Sequence, residues 1–355
     1  KVEREAFFSY PNRVFAYKIQ VENGREDFEI QLVIPYLGAR SAEEGGRTGS
    51  VWTEKNRLVM RGALPVRDLQ FVGMAAVDSD GEIIANGESL SVKNATRCVV
   101  YYTFGTSYKL CPQVFFKGEH KALGDDPYAE TEQRLRAAEA LGYEQLYALH
   151  VADYGALMGR VSLDLGGRED GRTTEELLAS VQAGNREAYL EEVYFAFGRH
   201  LLVSSSRKGS LPSSLQGVWT VHDKSPWGSG FWHNINVQMN YWPAFSCNLA
   251  ECFSAYADYF KAYLPQAQKN AREWITQYNP ENYGDGNCGW IIGTGAYAYE
   301  IEGVNGNTHS GPGTGALTAK LFWEYYDFTR DEKALEEYTL PAVHGMSQFL
   351  TKCLR

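Results

Sequence analysis

LPSSLQGVWTVHDKSPWGSGFWHNINVQMNYWPAFSCNLAE, from Leu211 to Glu251, is the most informative stretch of the chain. It holds four of the eight tryptophans (Trp219, Trp227, Trp232, Trp242), Tyr241, and the amides Asn234, Asn236, Gln238 and Asn240. A buried amide needs partners for both its oxygen and its NH2 group, so an ordinary core segment does not mix large rings with so many amides. Carbohydrate sites do need the mixture. The apolar face of a sugar ring stacks on indole, and its rim of hydroxyls is bracketed by amides and carboxylates.

On both sides of this block the apolar residues recur at helical spacing: Tyr189, Val193, Phe197 and Leu201; Leu249, Phe253, Tyr256 and Phe260; Leu317, Leu321, Tyr325 and Phe328; Val343, Met346 and Leu350. Such stripes are core faces before anything else. The long aromatic and glycine-rich connections at 204–233 and 284–315 do not suit a tight bundle. They suit a helical toroid, a ring of helix pairs whose end loops gather over a central cavity. From Glu5 to Tyr108 the period is two instead. Phe15, Tyr17, Ile19 and Val21 share one face, and Phe28, Ile30, Leu32 and Ile34 repeat it after Glu22-Asn23-Gly24, which predicts a hairpin. Several short strands at this spacing predict an antiparallel sandwich. After Asp125-Asp126-Pro127 the pattern turns helical through Tyr154, with Leu135, Ala138, Leu141 and Leu146 on one side, and 166–174 is a polar linker.

The chain has 355 residues and 44% hydrophobic composition, enough for more than one core. Its formal charge of -10, with no basic run, argues against a nucleic-acid partner. No apolar run is long enough to span a membrane, and the chain opens at Lys1 inside strand-like sequence. Six cysteines without CxxC spacing signal neither a metal centre nor a disulfide framework, and lean toward a cytoplasmic setting, though secretion stays open. No cofactor is implied.

The runs Arg199 to Ser206, Leu211 to Trp219, Pro226-Trp227-Gly228 and Asn234 to Ala244 closely resemble glycoside hydrolase family 95 in order and spacing. Phe7 to Pro11 and Leu321 to Tyr326 agree with the family's flanking elements. The resemblance implies an antiparallel β super-sandwich, a helical linker and part of an (α/α)6 toroid, here over 1–115, 116–175 and 176–355. It further implies that the first sandwich strands and the second half of the toroid lie outside this sequence. The family is known chiefly for inverting α-1,2-L-fucosidases, with some members acting on α-L-galactosides. Its two functional asparagines correspond to Asn234 and Asn236. Its general acid and activating carboxylate belong to the missing half, to be supplied by the remainder of the polypeptide or a complementary fragment. Trp232 stands where the family usually has His, Phe245 where it often has Glu, and 293–306 matches its pattern poorly.

Asn234 and Asn236 are therefore the expected catalytic residues. Their alternation with Ile235 and Val237 would aim both amides the same way in an extended segment. Trp227, Trp232, His233, Gln238, His222, Asp223 and His309 are the expected contacts to an oligosaccharide, whereas Trp219, Trp242 and Tyr241 read as packing. Two other functions use similar residues. A toroid polysaccharide lyase could employ His233, Asn234 and Tyr241, but must neutralise a uronate, and the block offers only Lys224. A carbohydrate-binding protein would keep the aromatic cleft without turnover.

Overall fold

The computed structural model describes residues 1–35, 46–64, 67–116, 123–220, 225–304 and 311–354. It forms two compact units, one of residues 1–109 with 120–155 and one of 110–119 with 156–355. Among the described residues no helix is long and apolar enough to cross a membrane.

Among its described residues the first unit contains nine strands: β1 (Val2–Ser9), β2 (Val14–Val21), β3 (Glu26–Gln31), β4 (Thr48–Glu54), β5 (Arg57–Leu64), β6 (Leu69–Ser79), β7 (Glu82–Ala85), β8 (Ser89–Ala95) and β9 (Arg97–Thr106). They form two antiparallel sheets, ordered β1-β2-β9-β6-β5-β4 and β3-β8-β7. Leu58, Ala75 and Val77 of the larger sheet pack with Leu90, Val92 and Ala95 of the smaller one. The opposite face of the larger sheet buries Val14, Ala16, Val72, Met74 and Val99 against Leu135 and Ala138 of α1 (Tyr128–Leu141) and Leu146 of α2 (Tyr143–Met158). Cover on both faces explains why Phe71 to Val77 of β6 is an unbroken buried run and not an alternating one.

The sandwich is present, but the expected hairpin after Val21 is not. β2 pairs with β1 and β9, whereas β3 pairs with β8 in the other sheet. The turn at Glu22–Gly24, with Asn23 left-handed at φ 59°, carries the chain from one sheet to the other. Period-two patterning says which residues face a core, and is silent on which strand lies alongside.

In the second unit, α3 (Thr174–Gln182) begins at a reciprocal cap: the Thr173 hydroxyl accepts the Glu176 N–H while the Glu176 carboxylate accepts the Thr173 N–H. It is followed by α4 (Ala188–Ser205), α5 (Asn236–Ser246), α6 (Ser254–Tyr278), α7 (Thr314–Thr329), the short α8 (Glu332–Ala334), and α9 (Leu340–Cys353), reached through a π-helical turn. α6 carries the main aromatic core. Phe260 lies 4.5 Å from Phe322 of α7 and 5.2 Å from Trp290, and Phe253, just before α6, lies 5.2 Å from Phe322.

The stripe expected to face inward on α4 does not. Val193 and Phe197 are exposed, and the buried residues are Arg199, Leu202, Val203 and Ser205. Arg199 is the charged member of this buried set. Its guanidinium donates to the carbonyls of Leu157 (3.0 Å), Met158 (2.8 Å) and Val161 (3.0 Å), satisfying the end of α2, which lacks intrahelical donors. Arg199→Met should lower stability by about 3 kcal/mol, because a side chain of similar length deprives the Met158 and Val161 carbonyls of this charged donor. The shift of the urea unfolding midpoint measures it, and a shift below a third of that size would mean that water reaches these carbonyls.

Candidate functional site

The 211–251 block is tied to the end of α4 by Tyr241. Its buried hydroxyl meets Ser206 Oγ at 2.9 Å and accepts the Ser213 N–H at 3.0 Å. The Asn240 amide donates to the Ser214 carbonyl at 2.9 Å. Tyr241 and Asn240 therefore hold the loop against α5 by contacts within the protein. Along the loop, Trp227, Gly228 and Ser229 are all left-handed, at φ 54°, 64° and 51°. For non-glycine residues this conformation costs roughly 1 kcal/mol. It leaves the Trp227 ring 63% exposed while its carbonyl accepts the Trp232 indole N–H at 3.1 Å.

Residues 230–233 run as the edge of a small antiparallel ribbon. The N–H groups of Phe231 and His233 donate to the carbonyls of Ala296 (2.7 Å) and Thr294 (2.8 Å), and Ala296 bridges to Ile301 on a third strand. Phe231, His233, Thr294 and Ala296 form the buried face of this ribbon. Directly after it, Asn234 is exposed in a turn and Asn236 is half-buried in the first turn of α5. The segment is not extended, so the alternation expected for the two asparagines does not apply. A tight turn into a helix brings them to the same end of α5 instead. Among the described residues neither side-chain amide has a hydrogen-bond partner.

Beneath the asparagines lies a buried polar network. His233, fully buried, meets the Tyr256 hydroxyl through Nε2 at 2.7 Å, and Tyr256 meets the Tyr263 hydroxyl at 3.1 Å. Gln238, also fully buried, donates to the His233 carbonyl at 2.6 Å and to Thr318 Oγ1 at 3.1 Å. Among the described residues His233 Nδ1 and Gln238 Oε1 have no partner. Burial pushes the His233 ring down to about 4, against the opposing pull of the Phe231 and Thr294 carbonyls, so the ring is neutral at pH 7. Burial likewise raises the Tyr256 and Tyr263 hydroxyls well above the usual phenol range. The network is uncharged and holds the turn from below.

Trp227 and Trp232 are joined by the indole N–H bond, Asn234 and Asn236 follow directly in the turn into α5, and His233 and Gln238 are buried in the core, where their contacts are with the protein itself. His222, Asp223 and His309 lie outside the described residues. Of the residues read as packing, Tyr241 is buried, whereas Trp219 and Trp242 are 49% and 41% exposed. Glu251 pairs with Arg160 at 2.7 Å. The stretch 293–302 drew notice in the sequence only as a poor match to the family pattern, not as a ribbon. Its glycines, Ala296 and Thr294 carry no strand pattern, and residues 291–296 are buried without alternation.

The model of the glycosyl hydrolase family 95 catalytic domain matches residues 142–355, and that of the glycosyl hydrolase family 65 N-terminal domain matches residues 1–110. Alpha-L-fucosidase 2 of Arabidopsis thaliana is 27% identical over 389 residues, covering 98% of this chain and 42% of its own length. The probable alpha-fucosidase A of Aspergillus niger is 26% identical over 375 residues, covering 98% of this chain and 43% of its own length. The chain spans less than half the length of these curated relatives. A solved structure of a putative kojibiose phosphorylase from human microbiome is similar over 99% of this chain and 42% of its own, with a TM-score of 0.59 and 10% identity. That likeness is one of fold, antiparallel sheets followed by a helical region.

Proposed function

The chain belongs to glycosyl hydrolase family 95, and on that premise we propose that its activity is the hydrolysis, with inversion, of α-L-fucosides, in particular α-1,2-linked ones, or of the related α-L-galactosides of oligosaccharides. The observation that carries this reading is the pair Asn234 and Asn236, two amides with no hydrogen-bond partner among the described residues at the accessible start of α5, directly after the ribbon edge that carries Trp232. The rings offer apolar faces to a pyranose, and the amides offer donors and acceptors to its hydroxyls and to water.

Inversion requires a protonated carboxyl for the leaving oxygen and a base on the opposite face of the sugar, far enough away to admit water. An amide cannot be that base. The Asn236 carbonyl oxygen can orient the attacking water, but a carboxylate must take its proton. Nor can His233 serve, since it is fully buried and its Nε2 is engaged by Tyr256. The two carboxyl groups are assigned to the remainder of the same polypeptide or to a complementary fragment, which is consistent with relatives more than twice as long.

The test is to follow, by NMR, an α-1,2-fucosyl oligosaccharide treated with the longest available polypeptide containing this chain. The expected first product is the β-anomer of L-fucose. Absence of both L-fucose and L-galactose release across a panel of α-linked oligosaccharides would sink the reading, and release of the α-anomer would remove inversion.

A further inference from the structure

The accessible face of the ribbon carries groups that the amide turn alone does not account for. The hydrogen bonds of Phe231 to Ala296 and of His233 to Thr294 set a register in which Trp232 lies opposite Gly295 and Gly230 opposite Tyr297. On the other side, the Glu302 N–H donates to the Gly295 carbonyl at 2.8 Å, placing Glu302 opposite Gly295 as well. Opposed residues share a face, and their neighbours Phe231, His233, Thr294 and Ala296 are all buried on the other one. The Trp232 indole, the Tyr297 ring and the Glu302 side chain therefore stand together. A Cβ added to Gly230 would lie 2.8 Å from Trp232 Nε1 and 3.0 Å from Tyr297 Cε1, so the two rings flank this glycine.

Gly295 is what lets the carboxylate in. A Cβ there would lie 2.5 Å from Glu302 Cδ and 2.6 and 2.7 Å from its two oxygens, so the carboxylate occupies the space a side chain at 295 would fill. It is fixed there by the Gly295 N–H, which donates to Oε2 at 3.1 Å, while the Glu302 carbonyl accepts the Gly293 N–H at 2.8 Å. Among the described residues no Lys or Arg pairs with this carboxylate, which leaves Oε1 and its lone pairs available. An oriented carboxylate beside two half-buried rings is a sugar-binding arrangement, since a carboxylate can accept from two neighbouring hydroxyls at once.

We propose that this face is a sugar subsite, in which a pyranose ring lies against Trp232 and Tyr297 and Glu302 accepts hydrogen bonds from its hydroxyls. The proposal rests on the carbohydrate reading of the preceding section and adds to it a residue and a selectivity. The ring must be neutral, because a uronate would bring a second carboxylate against Glu302, which no Lys or Arg pairs among the described residues.

Calorimetric titration of the 355-residue chain with L-fucosyl-α-1,2-D-galactose and with D-glucuronate tests this. The disaccharide is expected to bind and glucuronate not to. Glu302→Ala should weaken disaccharide binding by about ten- to a hundredfold, the range for a hydrogen bond to a charged group. Gly295→Ala should weaken it similarly by displacing the carboxylate, and the double variant should be no weaker than Glu302→Ala alone, because both act on one group. Glu302→Gln keeps an acceptor for the Gly295 N–H, so the ribbon stays intact, and should relax the exclusion of glucuronate. Equal disaccharide binding by wild type, Glu302→Ala and Glu302→Gln would overturn the subsite while leaving the glycosidase reading standing. Failure of the wild-type chain to bind the disaccharide would also overturn the subsite, whereas the glycosidase reading falls only with the product-release assay.

Discussion

Replacing Asn236 by Ala should lower kcat for α-L-fucoside hydrolysis by about a thousandfold, with KM nearly unchanged, because one oriented polar group acting on the reacting atoms is typically worth a hundred- to a thousandfold. The split follows from what the amide is proposed to touch. A group that positions water contributes in the transition state and not to the affinity for sugar, so its loss appears in kcat. The folded state should not notice. Asn236 sits half-buried in the first turn of α5 with no side-chain partner among the described residues, and Ala is the better helix former. Asn240 is the control. Its amide is bound to the Ser214 carbonyl, so Asn240→Ala should lower stability by about 1 kcal/mol and change kcat by less than threefold. Steady-state kinetics with parallel thermal unfolding separates the two. An Asn236→Ala enzyme within tenfold of wild-type kcat would remove that residue from the chemistry.

The contrast between two amides four residues apart shows where sequence reading was strong and where it stopped. Rings mixed with amides make 211–251 an expected sugar site, and in the structure Trp227, Trp232, Asn234 and Asn236 fall on the loop and turn that lead into α5, with Asn234 exposed and Asn236 half-buried. The sequence could not tell an amide that faces out from one that faces in, because Gln238 and His233 sit in the same run and differ only by where the turn at 233–235 directs them. The same limit applied to α4. Tyr189, Val193, Phe197 and Leu201 have the spacing of a buried stripe, yet Val193 and Phe197 are exposed, and the buried positions of α4 include an arginine with three carbonyl partners. Hydrophobic period counts apolar atoms and misses a buried guanidinium. In the β unit, the faces of β2 and β3 were legible and their partners were not, since pairing is decided by long-range packing of β8 and β9. The ribbon at 293–302 was hidden for a different reason. Its strands are built from Gly, Ala and Thr, whose value there is the room they leave for Glu302 and Trp232.

His233 offers the second large effect, on stability. In the folded chain the ring takes up its proton only near pH 4, whereas an exposed histidine does so near 6.5. Between those values the unfolded chain binds more protons than the folded one, so stability rises with pH across the window. The contribution is fully present above pH 6.5 and is lost as the pH falls toward 4. Over the whole window it amounts to about 3 kcal/mol, and it would express itself as a shift of the urea midpoint to lower denaturant. Other groups titrate in the same range, so the comparison that isolates His233 is with His233→Gln, which retains a nitrogen able to reach Tyr256 and has nothing to protonate. At pH 7 the two proteins should differ by less than about 1.5 kcal/mol, the cost of an imperfect replacement hydrogen bond. At pH 4 wild type should have lost about 3 kcal/mol more than the variant. A parallel fall of both proteins would show that the ring is protonated in the fold near pH 6.5, and hence that water or a carboxylate reaches Nδ1. The consequence for function is direct. If the neutral ring holds the turn that carries Asn234 and Asn236, activity in wild type should decline in acid more steeply than in His233→Gln, with the loss tracking unfolding and not the titration of a catalytic group.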